Sequence, residues 1–506
     1  MKRMTEYLKH IVLTAAVSVM AVSCLEKEPQ DFIRTEDAML TYSEAEQVLV
    51  GIYADWKSAA LYSGLLTLLP DLQSDLVYAI NGNTNTYVDI WQWDILPTNR
   101  YVESVYAALY GVIGDCNFFL DKLPALRESI TDDTELAILV DFEGEVRVSR
   151  ALAYSELIKC FCKAYDPATA ADELGVVLVS HFDGSEPAIR ASLKDSYDFV
   201  LADLAKAEEL LLEEDDLGYN GVYFTLTTAQ ALHARVALYM QNWDDAIKYS
   251  TLVLDKKDKY ELSNAKTVYD SAGMTYFDYL WNYDSGFEVI WKVGFTTTSY
   301  GGTLGSPFLH LTTDYAHYYP DFVPAASVLA LYDGSDLRYD SYFAEVTTGH
   351  SHGLTWPVLV KYFGNRNFIT SSNIYELNMP KPFRLAEQFL IRAEAYCQKG
   401  NYSKGGADLS TLRKYRYAVG GTISVNENNW LQTISDERVR ELYMEGFRLQ
   451  DLKRWHQGFE RTPQSESLLE GSSLKVEADD PLFVWPIPKH EIESPGSQIQ
   501  PNESNK

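Results

Sequence analysis

Glu437-Arg438-Val439-Arg440-Glu441-Leu442-Tyr443-Met444-Glu445-Gly446-Phe447-Arg448-Leu449-Gln450-Asp451-Leu452-Lys453-Arg454-Trp455 carries the most specific order of charges in the chain. Arg438 and Glu441, Glu445 and Arg448, Arg448 and Asp451, and Asp451 and Arg454 are each three residues apart. Residues at that spacing are neighbours on an α-helix, so the order predicts a helix whose acids each face an Arg. Unpaired carboxylates would point to acid–base catalysis. Here every acid has a guanidinium within helical reach, so the charges neutralise one another and fix the helix. Glu441, Glu445, Arg448, Asp451 and Trp455 are therefore expected to be structural.

Outward from this stretch the helical period recurs. Thr41-Tyr42-Ser43-Glu44 is a capping-box pattern, and Ala45, Leu49, Ile52 and Trp56 then share one face. Ser192-Leu193-Lys194-Asp195 opens another helix, with Val200, Leu204, Ala207 and Leu211 as its stripe. Amphipathic patterns also span 102–123 and 143–162. Two segments resemble each other: Ala234 to Ala246, with Asn242-Trp243 after a polar turn, and Ala393 to Gly405, with Asn401-Tyr402. Small residues that permit close approach, then an aromatic after the turn, form the tetratricopeptide pattern. The stretch from about Val268 to Val360 differs. It is rich in Gly, Thr, Tyr and Phe, and Phe287 to Val293 reads as strand. The expected fold is mainly α, a tetratricopeptide-like helix-pair scaffold with a loop-rich part containing short β-strands. Residues 41–267 and 268–506 are expected to form one compact unit.

With 506 residues, 46% of them hydrophobic, the chain can bury a large core. A formal net charge of −29 and the lack of any Lys/Arg-rich run exclude nucleic acid as a natural partner. Lys2, Arg3 and Lys9 precede twelve apolar or small residues, Ile11 to Val22. That is too short for a membrane span and suits a signal peptide, here residues 1–23. Its end, Ala21-Val22-Ser23-Cys24, resembles a bacterial lipobox, which implies acylation of Cys24 and anchoring in a membrane. The charged residues that follow, within 24–40, are expected to be a tether. Cys116, Cys160, Cys162 and Cys397 match no zinc or disulfide spacing and read as buried hydrophobes.

The segment from Glu437 to Trp455 resembles the signature helix of the SusD/RagB family, E-R-x-x-E-L-x-x-E-G-x-R-x-x-D-L-x-R-W, with every anchor residue present. Phe383-Arg384-Leu385-Ala386-Glu387, Pro486-Ile487-Pro488 and Gln500-Pro501-Asn502 extend the likeness. Gly144-Glu145-Val146 to Arg150-Ala151 is similar to the family's G-E-A-x-x-x-R-A helix, with Val146 in place of Ala. The resemblance implies a surface-exposed outer-membrane lipoprotein. It would bind oligosaccharide or, in some branches, peptide, and pass it to a TonB-dependent, SusC-like transporter. Binding in that family is noncatalytic.

A sugar offers apolar C–H faces and hydroxyls, so its site wants flat aromatic rings beside planar polar groups. Two stretches supply them. The first spans Asp75 to Arg100, with Asp75, Tyr78, Asn81, Trp91 and Trp93; the second holds Tyr279, Trp281, Tyr283, Trp291, Tyr300, Tyr315 and Tyr318. Asp75, Tyr78, Asn81, Trp91, Trp93, Trp281 and Tyr283 are the expected ligand contacts. Enzyme signatures are missing: His490-Glu491 has Ser494 where a zinc helix needs its second His. A glycan-degrading activity is the weaker alternative to binding. No cofactor is expected; Asp333 to Arg338 is not an EF-hand loop and leaves only an incidental Ca²⁺ open.

Overall fold

The computed structural model describes residues 38–182, 187–212, 221–310, 318–346, 348–349, 356–369, 376–462 and 473–506. The expected signal peptide, Cys24, most of the expected tether and Tyr315 lie outside the described residues. Helices of more than five residues run as α1 (Tyr42–Asp55), α2 (Leu65–Leu72), α3 (Arg100–Ser129), α4 (Asp133–Phe161), α5 (Leu193–Leu210) and α6 (Leu226–Tyr239). They continue as α7 (Trp243–Leu254), α8 (Tyr276–Asn282), α9 (Leu385–Gln398), α10 (Tyr402–Lys414), α11 (Trp430–Leu442) and α12 (Arg448–Arg454). The fold is mainly α.

The helices start where side chains satisfy their orphan N–H groups. Thr41 and Glu44 form a capping box ahead of α1, which buries Ala45, Leu49 and Ile52. Asn99, Asp132 and Ser192 cap α3, α4 and α5 in the same way. Helices α6/α7 and α9/α10 are antiparallel pairs joined by tight turns. Ala234, Ala237, Ala246 and Ala395 are buried where α6, α7 and α9 meet, and the Trp243 ring packs on this cluster. In the second pair, a Cβ at Gly405 would sit 2.4 Å from the Cys397 sulfur, so the close approach needs glycine. Arg150 ties α4 to α5 through a two-pronged grip on Asp203 at 2.7 and 2.8 Å.

Between α8 and α9 the elements are short. Val77–Ala79 pairs antiparallel with Phe322–Pro324, and Val289–Trp291 with Phe383–Arg384. The strand expected over 287–293 is thus confined to its middle, and Phe287 stands 66% exposed. No described helix is long and apolar enough to cross a membrane. Cys116, Cys160, Cys162 and Cys397 are buried free thiols.

Glu437–Trp455 is not one helix. It breaks between Leu442 and Arg448, where Met444 and Gly446 adopt φ of 59° and 85°. A Cβ at Gly446 would lie 2.9 Å from the Leu66 carbonyl oxygen, so only glycine fits. The Asp71 carboxylate of α2 accepts the backbone N–H groups of Gly446 at 3.0 Å and Arg448 at 2.9 Å and pins the turn. The break parts Glu445 from Arg448, and tertiary partners displace two further pairs that each lie within one helix. Of the four expected pairs, only Asp451–Arg454 forms among the described residues, at 2.9 Å. Arg438 reaches Asp451 at 2.6 Å, and Arg448 grips Asp75 at 2.7 and 2.8 Å. Trp455 donates its indole N–H to Glu394 at 2.8 Å.

Glu441 and Glu445 turn instead into a buried knot of ions. Glu441 accepts from Arg338 at 2.9 Å, Arg384 at 3.1 Å and Arg416 at 2.9 Å. Glu445 accepts from Arg384 at 2.7 Å and Lys361 at 2.6 Å. Glu288 joins Arg384 and Arg416 at 2.5 and 2.9 Å. Arg338, Arg384 and Arg416 are at most 1% exposed. Burial alone would raise the Glu437 carboxyl, but Arg338, Arg440 and Arg413 hold it down at about 2. Such a knot persists because nearly every charge has a partner; removal of one leaves its neighbours uncompensated.

Candidate functional site

Helix α8 sorts its aromatic residues by the 3.6-residue period. Phe277, Leu280 and Trp281 face the core and are buried. Tyr276, Tyr279 and Tyr283 fall at the first, fourth and eighth positions from Tyr276 and share the opposite face. Thr275 and Asp278 form a capping box that fixes where this helix begins. Just before it, Val268 bridges Thr275 across a turn at Asp270–Gly273. The Asp270 carboxylate accepts from the N–H groups of Ala272 and Met274 and Gly273 takes φ of 91°, so the chain reverses tightly. This places Tyr269 beside the helix. Its ring lies 4.2 Å from Tyr279 and 5.5 Å, edge-on, from Tyr276; Tyr279 stacks on Tyr283 at 4.8 Å.

These rings wall a cavity of about 470 Å³. Tyr269, Tyr276 and Phe287 form its exposed rim, at 46%, 42% and 66% exposure. Tyr260, Leu262 and Val289 make the apolar floor, while Glu261, Ser263, Asn264, Thr267 and Ser285 supply polar groups. Gly286, at φ of 151°, lets the chain pass the Ser263 hydroxyl, where a Cβ would come within 3.2 Å. Burial raises the Tyr279 hydroxyl pKa, assisted by its hydrogen bond with Tyr269, so it stays a protonated donor at neutral pH.

The buried knot holds the floor in place. Arg416 donates to the Ser263 carbonyl at 2.5 Å, and Glu288 accepts the Ser263 N–H at 2.8 Å. Both backbone groups of one floor residue are thus clamped by ions that never meet solvent. The set of groups suits noncovalent recognition: flat rings to stack on, a hydroxyl and an amide to hydrogen-bond. Among the described residues no cluster of His, Cys, Asp or Glu is arranged to hold a metal ion.

The structure separates the seven expected ligand residues. Tyr283 backs the cavity through Tyr279. Trp281 is corrected: at 4% exposure it offers no open face, and its ring is used by Lys361 at 4.1 Å and Lys381 at 4.6 Å. Trp91, at 1% exposure, is corrected likewise, packed edge-on against Phe322. Tyr78 is 4% exposed within the pairing to Phe322–Pro324. Asp75 is spent on Arg448. Trp93 is half-buried between Phe459 and Phe483 and donates to the Gln73 carbonyl at 2.5 Å. Asn81 is half-buried in the loop that follows. That loop instead builds a hollow of about 340 Å³ from Asn85, Asp89, Leu96, Arg100 and Tyr101, where the Arg100 guanidinium lies 4.7 Å over the Tyr101 ring. Of the second expected group, Trp291 is buried at 1% and Tyr300 is 48% exposed. Tyr269, Tyr276 and Phe287 were missed. For Tyr276 the available signal was the run of tyrosines at i, i+3 and i+7 that follows the capping Thr275.

Comparison with known proteins agrees with this architecture. Residues 334–502 match the model of the SusD family, and residues 25–238 match a family described as starch-binding, associating with outer membrane. SusD-like protein P25 of Formosa agariphila is 22% identical over 88% of this chain and 90% of its own length. The starch-binding protein SusD of Bacteroides thetaiotaomicron is 32% identical over 22% of this chain and 19% of its own. A SusD superfamily protein from B. thetaiotaomicron superposes with a TM-score of 0.77 at 23% identity, covering 91% of this chain and 99% of that one. A putative sugar binding protein from Bacteroides vulgatus gives 0.75 at 22% identity, covering 93% and 100%. At these identities the superpositions show the shared fold.

Proposed function

The chain belongs to the SusD/RagB family, and from that premise we propose that it is a noncatalytic outer-membrane lipoprotein that captures a neutral oligosaccharide for a TonB-dependent, SusC-like transporter. The observation that carries the ligand class is the tyrosine-walled cavity at Tyr269, Tyr276, Tyr279 and Phe287. Large rings left exposed on a folded protein hold unrecovered apolar area that a stacked sugar face would cover. The relatives named for starch and sugar binding support the same class. The net charge of −29 disfavours sulfated glycans, which a like-charged surface repels.

Cys24 supplies the anchor in this reading. A Cys24→Ala variant is expected in the soluble fraction, and unchanged membrane fractionation contradicts lipidation. In this reading a lipid-tethered binder hands its cargo to a separate channel in the membrane. Purification under mild detergent should recover a large β-barrel partner in near-equal amount. Titration calorimetry against neutral oligosaccharides, sulfated glycans and peptide mixtures decides the ligand class. Heat with neutral sugars alone is expected; heat with peptides alone replaces the reading with peptide uptake.

A further inference from the structure

A second aromatic hollow lies where the turns of the two tetratricopeptide-like pairs meet α11 and α12. It measures about 370 Å³, and Trp243, Trp430, Trp455, Gln241, Gln398 and His456 line it. Three of the ten tryptophans of the chain converge here. These three and Gln398 come from four helix ends. Trp243 opens α7, Trp430 opens α11, Trp455 closes α12, and Gln398 is the last residue of α9.

The three rings are held differently. Trp455 is fixed by its bond to Glu394 at 2.8 Å, and the Arg454 guanidinium braces its ring at 4.5 Å. Arg454 is itself neutralised by Glu394 and Asp451. Trp243 and Trp430 are half-buried, and neither indole N–H has a hydrogen-bond partner among the described residues. Gln241 spends its amide N–H on the Tyr165 carbonyl at 2.7 Å, which leaves its side-chain oxygen as an acceptor. Gln398 is exposed with no side-chain bond among the described residues. His456 turns Nδ1 to Asp479 at 2.6 Å, which leaves Nε2 free.

Rings, indole donors and amide groups around one hollow match the alternating apolar faces and hydroxyls of a sugar chain. We infer that this hollow is a second binding site for neutral oligosaccharide, separate from the tyrosine cavity. The two cavities share no lining residue. The inference rests on the neutral-sugar reading above for the ligand class, and on its own residues for the place. Two sites on one protein would hold a long glycan at two points and raise its residence by multivalency.

The test is titration calorimetry of the full chain with maltohexaose, cellohexaose, xylohexaose and mannohexaose, with wild type and two sets of variants. Trp243→Ala probes the hollow directly. Gln398→Ala with Trp430→Ala probes it through exposed or half-exposed groups, in case loss of Trp243 loosens α6 against α7. Wild type is expected to bind two hexasaccharides per chain. Either variant should lose one of them or weaken it by about tenfold, and Tyr276→Ala with Tyr279→Ala should remove the other. Full stoichiometry and affinity in both Trp variants overturns this site while leaving the tyrosine cavity standing. Loss confined to the Trp variants keeps this site and overturns the tyrosine cavity. Heat with none of the four sugars contradicts both.

Discussion

The knot around Glu441 and the cavity around Tyr279 invert the usual placement of side chains. Arg338, Arg384, Arg416 and Glu441 are at most 1% exposed, whereas Tyr276 and Phe287 are 42% and 66% exposed. Burial of charge is costly and is tolerated because each ion has several opposite partners. Exposure of rings leaves apolar area in water that folding never recovered. The first region therefore stores its chemistry inside, where it sets shape. The second presents its chemistry outside, where a ligand can use it. Ser263 joins them, since both its backbone groups are held by knot residues while its side chain lines the cavity.

Arg416→Ala attacks the knot and should have the largest effect. It strips Glu288 and Glu441 of a partner and frees the Ser263 carbonyl. A loss of about 3–5 kcal/mol is expected in urea unfolding. A variant as stable as wild type would mean the ions are incidental to the fold.

Acid and base act oppositely on two parts of the scaffold. Glu437 has a depressed carboxyl, at about 2, so its stabilisation is present above the unfolded value of about 4.5 and is lost as pH falls toward 2. Glu145, hydrogen-bonded by Tyr53, is raised to about 8 by burial despite that bond. Between about 4.5 and 8 the unfolded chain ionises Glu145 while the folded one keeps its proton, so stability falls as pH rises. Glu145→Gln should therefore gain about 1–2 kcal/mol at pH 8 and nothing near pH 4. Equal gains at both pH values would remove ionisation as the cause.

Changes at the cavity should leave stability alone and touch affinity. Tyr279→Ala is expected to weaken oligosaccharide binding by about tenfold, since its ring is the shared wall of the stack. Phe287→Ala, at the rim, should cost about threefold and leave the melting midpoint unchanged. A fall in melting temperature for Phe287→Ala would place that ring in the scaffold.

Much of this division can be read from the residues, but not the partners. The spacing of Glu437 to Trp455 implies paired charges, and the charges are paired. Arg438–Glu441 and Arg448–Asp451, each within one helix, lose to partners from elsewhere in the fold: Arg338, Arg384 and Arg416 take Glu441, Arg438 takes Asp451, and Asp75 takes Arg448. Glu445 and Arg448 part because Gly446, inside a helical pattern, breaks the helix between them. A glycine there costs a helix about 1 kcal/mol and was the local sign of a turn. The helix pairs at Trp243 and Tyr402 follow from local pattern alone. The cavity does not, because it joins Gly221 to Val289 through contacts that no spacing encodes. Trp281 was expected at a ligand because its stretch reads as irregular; a single capped helix hides there and turns Trp281 inward onto Lys361.

The central claim is that recognition rests on the exposed tyrosines while the buried ions only hold their floor. Titration of the tyrosine cavity's best-binding neutral oligosaccharide into Tyr276→Ala with Tyr279→Ala, beside a thermal melt of the same sample, tests it most directly. The account predicts binding at that site weakened by about a hundredfold at an unchanged melting midpoint. Wild-type affinity in this variant, with the fold intact, contradicts it.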